Sequence, residues 1–156
     1  VTDAGPVDDA AQAPGSASWA SSPAVRRSMQ GNRSRDTVPE LAVRRAVHAR
    51  GLRYRVAARP LPDLRRTADL VFSRARIAVF VDGCYWHGCP EHHRLPATHV
   101  TYWSEKVARN RARDLDTDAR LAAAGWTVMR FWEHDDPAAV ANAVEAAVRA
   151  AGLRPR

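Results

Sequence analysis

An α/β fold with a small mixed sheet flanked by helices is predicted by three features of this 156-residue chain. Helix-period and strand-period runs follow one another as helix, strand, hairpin, helix, strand, helix, the pattern of a layered α/β domain. Two of the strand runs are separated only by Arg74-Ala75-Arg76, so they are expected to pair as a hairpin. Setting aside a polar start leaves roughly 130 residues, enough for one hydrophobic core and no more. No internal repeat is visible.

Residues 1–22 are mostly Ala, Ser, Pro, Gly and Asp with one aromatic, Trp19, and bury too little apolar area to order themselves. They are read as a disordered tail, residues 23–152 as the folded domain, and 153–156 as a short C-terminal tail. From Pro23 to Arg35 the composition turns basic, with Arg26, Arg27 and Arg33 around Met29. Residues 23–36 read either as a basic arm that folds against a phosphate backbone, with Met29 as an apolar wedge between base steps, or as a solvated linker.

Thr37, with Pro39 in the first turn and Glu40 three residues on, predicts a capped helix that ends at Gly51. Val38, Leu41, Ala42 and Ala46 lie on one face of it. Leu52 to Val56 reads as a short strand, and Pro60, Pro62 and Arg65-Arg66 as a basic loop. The hairpin strands are Asp69 to Ser73 and Ile77 to Asp82. If their turn is centred between Arg74 and Ala75, Asp69 falls opposite Phe80, close to the backbone of Val81 and Asp82.

Beyond the Pro96 loop, Thr101 to Ala124 reads as one long helix or two in tandem, stopped by Gly125. Trp103, Val107, Asn110, Asp114, Thr117, Leu121 and Ala124 recur on one face. Asn110 and Asp114 interrupt that stripe; buried polar groups need partners, so they either build a site or are satisfied structural residues. Thr127 to Trp132 is a strand, and Asp136-Pro137 opens a last helix with Val140, Val144 and Val148 on one face and Gly152 beyond its end.

The formal charge is +7; residues 1–22 hold three aspartates and no Lys or Arg, so the remainder carries +10. That excess makes nucleic acid the default partner. No basic-then-apolar signal pattern opens the chain and no apolar run approaches about 18 residues, which predicts a soluble, cytoplasmic protein with no membrane partner. Two cysteines are too few for a secreted disulfide framework.

Chemistry concentrates in Asp82-Gly83-Cys84-Tyr85-Trp86-His87-Gly88-Cys89-Pro90-Glu91-His92-His93, which holds both cysteines and three of the six histidines. Cys84 and Cys89 with His92 or His93, completed by His134, make a closed set of sulfur and nitrogen donors suited to a structural Zn2+; the alternative is two reduced cysteines beside a surface run of histidines. His87 lies between the thiols but is poorly placed to join them. Near Asp69 and Asp82 it can act as a general base toward water. Asp69, with a backbone carbonyl near Val81, offers oxygen ligands to Mg2+. Tyr85 and Trp86 are adjacent large rings in a Gly- and Cys-flanked segment; stacking on bases or wedging between them accounts for both.

These residues together resemble the very-short-patch-repair (Vsr) DNA mismatch endonucleases. The resemblance is carried by Met29…Arg35-Asp36-Thr37…Glu40, by Arg66-Thr67-Ala68-Asp69-Leu70-Val71-Phe72, and by Val79 through His92. Tyr102-Trp103-Ser104-Glu105-Lys106, Asn110…Arg113-Asp114 and Gly125-Trp126…Trp132-Glu133-His134 continue it, so that it covers about residues 22–150 in order. It implies a restriction-endonuclease-like fold and a strand-specific nick 5′ to the thymine of a T:G mismatch, commonly one left by deamination of 5-methylcytosine.

The resemblance further implies that Asp69 is the catalytic Mg2+-binding acid, the carbonyl of Val81 a further ligand and His87 the general base. Glu40 and Asp114 would hold waters on the metals, and Asp82 would stand beside the scissile phosphate. Tyr85, Trp86 and Trp103 would be the wedge, with Met29 entering from the other groove and Lys106 and Asn110 among the DNA contacts. Cys84, Cys89, His92 and His134 would bind the structural zinc. A monomer is expected, with mismatched duplex DNA as substrate and a DNA cytosine methyltransferase and mismatch-repair proteins as partners in a nucleoid-associated activity.

Some members of that family have histidine where Asp82 stands and cysteine where His134 stands, and many have phenylalanine at Tyr85. The acid two residues before a lysine, usual in nuclease signatures, is missing. Two other readings share the same features: a related nuclease for a different lesion or modified site, and a zinc-stapled DNA-binding module without catalysis. The latter would not need Asp69 and His87.

Overall fold

The computed structural model describes residues 35–93 and 99–153. The tail at 1–22, the arm residues Arg26, Arg27, Met29 and Arg33, the Pro96 loop and residues 154–156 lie outside the described residues. Among the described residues no helix is long and apolar enough to cross a membrane.

Helix α1 (Val38–Ala49) starts where the sequence predicts. Thr37 Oγ1 accepts from the Glu40 N–H at 3.5 Å and donates to Glu40 Oε1 at 3.0 Å, while Glu40 Oε2 accepts from the Asp36 N–H at 2.8 Å. Gly51, at φ 76°, turns the chain out of the helix in a conformation that costs other residues. The buried face, however, is not the predicted one. Val38 is 82% exposed, and α1 instead turns Glu40, Val43, Arg44 and Val47 inward. Glu40 and Arg44 are four apart and paired at 3.1 Å. The two charges enter the interior as a neutral unit, which a purely apolar pattern assigns to solvent.

Four strands follow in the spatial order β1-β2-β3-β4: β1 (Arg55–Ala58), β2 (Ala68–Phe72), β3 (Ile77–Asp82) and β4 (Thr127–Trp132). The first begins three residues later than predicted, and Leu52 is a core residue ahead of it. The pairs β1·β2 and β2·β3 are antiparallel and β3·β4 is parallel, so the sheet is mixed. Leu70 pairs with Val79 and Phe72 with Ile77, which places Asp69 opposite Phe80 as the hairpin geometry requires.

The sheet is covered on both faces. Val43 and Val47 of α1, with Val140, Val144 and Val148 of α4 (Pro137–Ala150), pack on Leu70, Phe72, Ile77 and Val79. Leu121 of α3 (Val100–Ala123), with Leu64, packs on Val71, Ala78 and Phe80 of the other face. Each such buried side chain contributes about 1.5–3 kcal/mol. Coverage of both faces explains why Ile77–Phe80 is an unbroken apolar run instead of an alternating one. α3 is a single helix, and a one-turn helix not anticipated from sequence, α2 (Cys84–His87), follows β3 directly.

Candidate active site and metal centre

Parallel pairing of β3 with β4 brings their carboxyl ends together, with Asp82 beside Trp132, so the segments after each strand share one edge of the sheet. The Glu133 N–H donates to the Asp82 carbonyl at 2.9 Å, and Glu133 Oε1 accepts from the Cys84 N–H at 2.7 Å. These bonds tie the start of α2 to the end of β4.

Cys84 Sγ consequently lies 3.1 Å from His134 Nδ1, although the residues are fifty apart in sequence. Cys89 Sγ lies 3.8 Å from His92 Nδ1 and 3.9 Å from His134 Nδ1. One donor atom from each of Cys84, Cys89, His92 and His134 falls within a 4.8 Å cluster. Of the two histidines left open by the sequence, the cluster takes His92; the His93 ring lies 6.1 Å from that of Tyr85. Gly88, at φ 66°, turns the chain between His87 and Cys89, and a Cβ there would meet Val107 Cγ1 at 2.8 Å. Glycine is thus required twice over.

Burial, with Cys89 and Glu133 nearby, pushes the Cys84 thiol up to about 12. Burial also opposes ionisation of Cys89, but the backbone N–H groups of His92 and Glu91 draw its thiol below the usual value. The two thiols are thus shifted in opposite directions. Two sulfurs and two imidazoles in this compass suit a four-coordinate Zn2+, whose charge deprotonates a coordinating thiol.

Asp69 reaches across from β2 so that its Oδ2 accepts from the Val81 N–H at 2.7 Å; its Oδ1 accepts no hydrogen bond among the described residues. Burial above all pushes its carboxyl up to about 6, against the Val81 N–H and Arg44, with Glu40 and Asp82 adding repulsion. A half-buried acid with one oxygen uncommitted and two other carboxylates close enough to raise it fits the coordination habits of a hard divalent cation. Glu40 is itself held by Asp36, Thr37 and Arg44.

His87 ends α2 and turns Nδ1 toward Asp114 of α3, 2.6 Å from its Oδ2; Asp82 Oδ1 is 3.8 Å from the same nitrogen. A carboxylate on Nδ1 fixes the imidazole tautomer and leaves Nε2 the nitrogen able to accept a proton. Asp82 is buried, and burial raises its carboxyl above the ordinary range in spite of Arg130 and His87. Asp82, His87 and Asp114 line a cleft of about 300 Å³ with Pro90, Arg111 and Trp132.

Tyr85 and Trp86 of α2 meet Trp103 of α3, with ring centroids 5.5 and 5.9 Å apart, and each other at 5.0 Å. Trp103 is buried and the other two are half-buried. Lys106 Nζ stands 5.0 Å from the Trp86 ring and 5.3 Å from that of Trp103. Asn110 Nδ2 donates to the Trp86 carbonyl at 2.8 Å. The wedge-forming residues expected from sequence thus form one group on the two helices that carry His87 and Asp114.

Sequence reasoning missed Arg130, Asp118, Glu133, Arg44 and Arg111. Arg111 donates to the carbonyls of His87 at 3.2 Å and Gly88 at 2.7 Å. Arg130 stands in register with Phe80 and bonds Asp82 and Asp118. Its only sequence signal is a charge inside an otherwise apolar strand run.

The family model for DNA mismatch endonuclease Vsr matches residues 21–93 of this chain. The chain is 45% identical over 112 residues to the type II nicking enzyme V.NaeI of Lentzea aerocolonigenes, covering 70% of this chain and 68% of that protein. It is 45% identical over 107 residues to the type II nicking enzyme V.XorIIP of Xanthomonas oryzae pv. oryzae, covering 67% and 76% respectively. With the DNA mismatch endonuclease Vsr of Escherichia coli the identity is 33% over 111 residues, covering 69% and 67%.

Proposed function

The chain belongs to the Vsr DNA mismatch endonuclease family and is a DNA nicking endonuclease; from this and the site we propose that it cuts one strand 5′ to the thymine of a T:G mismatch, with Mg2+. The observation that carries the proposal is the convergence of the Asp69 carboxyl and the Asp114-backed His87 at the carboxyl end of β3, beside a ring group suited to wedging into a duplex. The fold is read as restriction-endonuclease-like on the same grounds.

Asp69, with the backbone carbonyl of Val81, would hold Mg2+, and Glu40 and Asp114 would hold the waters around it. When bound, the ion supplies charge that neutralises the transferred phosphate. His87 takes a proton from water through Nε2 as the water oxygen bonds to phosphorus and the ester oxygen departs. Asp114 keeps the ring in the tautomer that can accept that proton. Asp82 stands beside the base at the scissile phosphate.

Tyr85, Trp86 and Trp103, with Lys106 and Asn110, face the opened base stack; Arg26, Arg27 and Arg33 hold phosphates and Met29 enters the opposite groove. Cys84, Cys89, His92 and His134 would hold Zn2+ and so fix α2, which presents Tyr85 and Trp86 of the wedge together with the base. A monomer acting on mismatched duplex, in company with a cytosine methyltransferase and mismatch-repair proteins, completes the reading.

The test uses end-labelled duplexes that differ in one central pair, T:G against C:G, in several flanking contexts, with and without Mg2+. One nick 5′ to the mismatched thymine, only with Mg2+, is expected. Equal cutting of the matched duplex would overturn the mismatch assignment, and nicking that survives Asp69→Ala would overturn the role of that acid.

A further inference from the structure

We propose that Arg130 is a positioning residue for nicking: its guanidinium parts Asp82 from Asp114 and so keeps the His87 imidazole on Asp114. The inference rests on the reading of His87 as the base. Arg130 comes from β4, in register with Phe80, and its guanidinium carbon lies 4.4 Å from the centroid of the Phe80 ring. Nη1 donates to both oxygens of Asp82, each at 2.9 Å. Nε donates to both oxygens of Asp118 at 3.0 Å, and Nη2 lies 2.9 Å from Asp118 Oδ1 and 3.6 Å from Asp114 Oδ1.

Three carboxylates therefore meet one cation. Two of them, Asp82 and Asp114, lie within 3.8 Å of the same imidazole nitrogen, which can donate one proton. Whichever carboxylate wins sets the ring's orientation. With both oxygens of Asp82 held on Nη1, Asp114 wins at 2.6 Å. Without Arg130, mutual repulsion spreads the acids and Asp82 is released toward His87. A lysine keeps the charge but lacks the planar fork and the flat face that lies on Phe80, so it cannot hold Asp82 and Asp118 in these positions together.

The experiment compares wild type, Arg130→Met and Arg130→Lys in the full chain under single turnover with saturating T:G duplex, together with duplex affinity, zinc content and circular dichroism. Loss of an outer partner of a working imidazole is expected to lower the rate about 100-fold for Met and about 10-fold for Lys. Duplex affinity should change less than about twofold. In the His87→Ala background, Arg130→Met should add no further loss, because it acts through that ring.

A wild-type rate in either variant, a loss expressed in affinity instead of rate, or full additivity with His87→Ala would overturn the proposal. If Arg130→Met fails to fold, Arg130→Lys decides the matter. Should the wild type nick no duplex, the proposed function fails by itself, and 15N spectra of the His87 imidazole still test this inference. One Nδ1–H signal in wild type that shifts or splits in Arg130→Lys, as its acceptor changes from Asp114 toward Asp82, supports it; an identical Nδ1–H signal overturns it.

Discussion

The Cys/His cluster and the His87 cluster hang from the same turn of helix, α2, yet they are held in opposite ways. The first gathers four donors around a common point, in an arrangement that suits a cation. The second already contains its cation, Arg130, among three carboxylates. A metal-type centre is defined by its ligands and tolerates little change in them. A network of charged side chains is instead defined by who wins among competing partners, so single substitutions should re-aim it more readily than unfold it.

That contrast is broken most strongly at Asp69. Asp69→Asn is expected to lower nicking at least about 1,000-fold, as for loss of a group essential to the chemistry. The metal-free variant should nonetheless be the more stable protein at pH 8. The folded-state carboxyl titrates at about 6. The unfolded one ionises at lower pH, so above pH 6 folding must accommodate a partly desolvated charge. At about 1.4 kcal/mol per pKa unit this amounts to about 3 kcal/mol at most. Thermal melts without divalent cations check the sign; a lower melting temperature for Asp69→Asn would contradict it.

The next effect separates the two clusters directly. Removing the thiol in Cys84→Ala should abolish stoichiometric zinc, lower the melting temperature by about 10 °C or more and take nicking with it, since α2 carries His87, the proposed base. Asp114→Asn should leave zinc content and melting within error while slowing nicking about 10- to 100-fold. Metal analysis beside rate measurements distinguishes these outcomes. If Asp114→Asn also lost zinc, the clusters would be one structural unit.

Smaller still are two local changes. Gly88→Ala places a Cβ in a left-handed position and against Val107, and should cost about 1–3 kcal/mol in denaturant melts, with zinc affinity falling in step. Thr37→Ala removes the cap that also bonds Glu40, and should cost about 1 kcal/mol. A larger loss of nicking than of stability in Thr37→Ala would show that the cap serves mainly to aim Glu40.

What the sequence made legible follows from local rules and rare residue types. Hairpin register placed Asp69 opposite Phe80, period and caps placed β3, β4 and α4, and the two cysteines drew attention to the segment where donors converge. The inner face of α1 was misjudged at Val38 because Glu40 and Arg44 are buried as a pair, and a charge carries no local mark of a distant neutralising environment. The first strand was displaced for a related reason, since Leu52 enters the core without entering the sheet.

By itself, then, the sequence determined the element order apart from α2, the hairpin and the candidate donors Cys84, Cys89 and His134, because these depend on short-range geometry or on residues too scarce to be incidental. Only tertiary structure decided that His92 and not His93 joins them, that Asp114 faces His87, and that Arg130 holds Asp82 and Asp118. Aspartate and arginine are common. Which of them meet depends on a parallel strand pairing between residues 50 apart and on the rotation of a 24-residue helix, neither of which leaves a local trace in the chain.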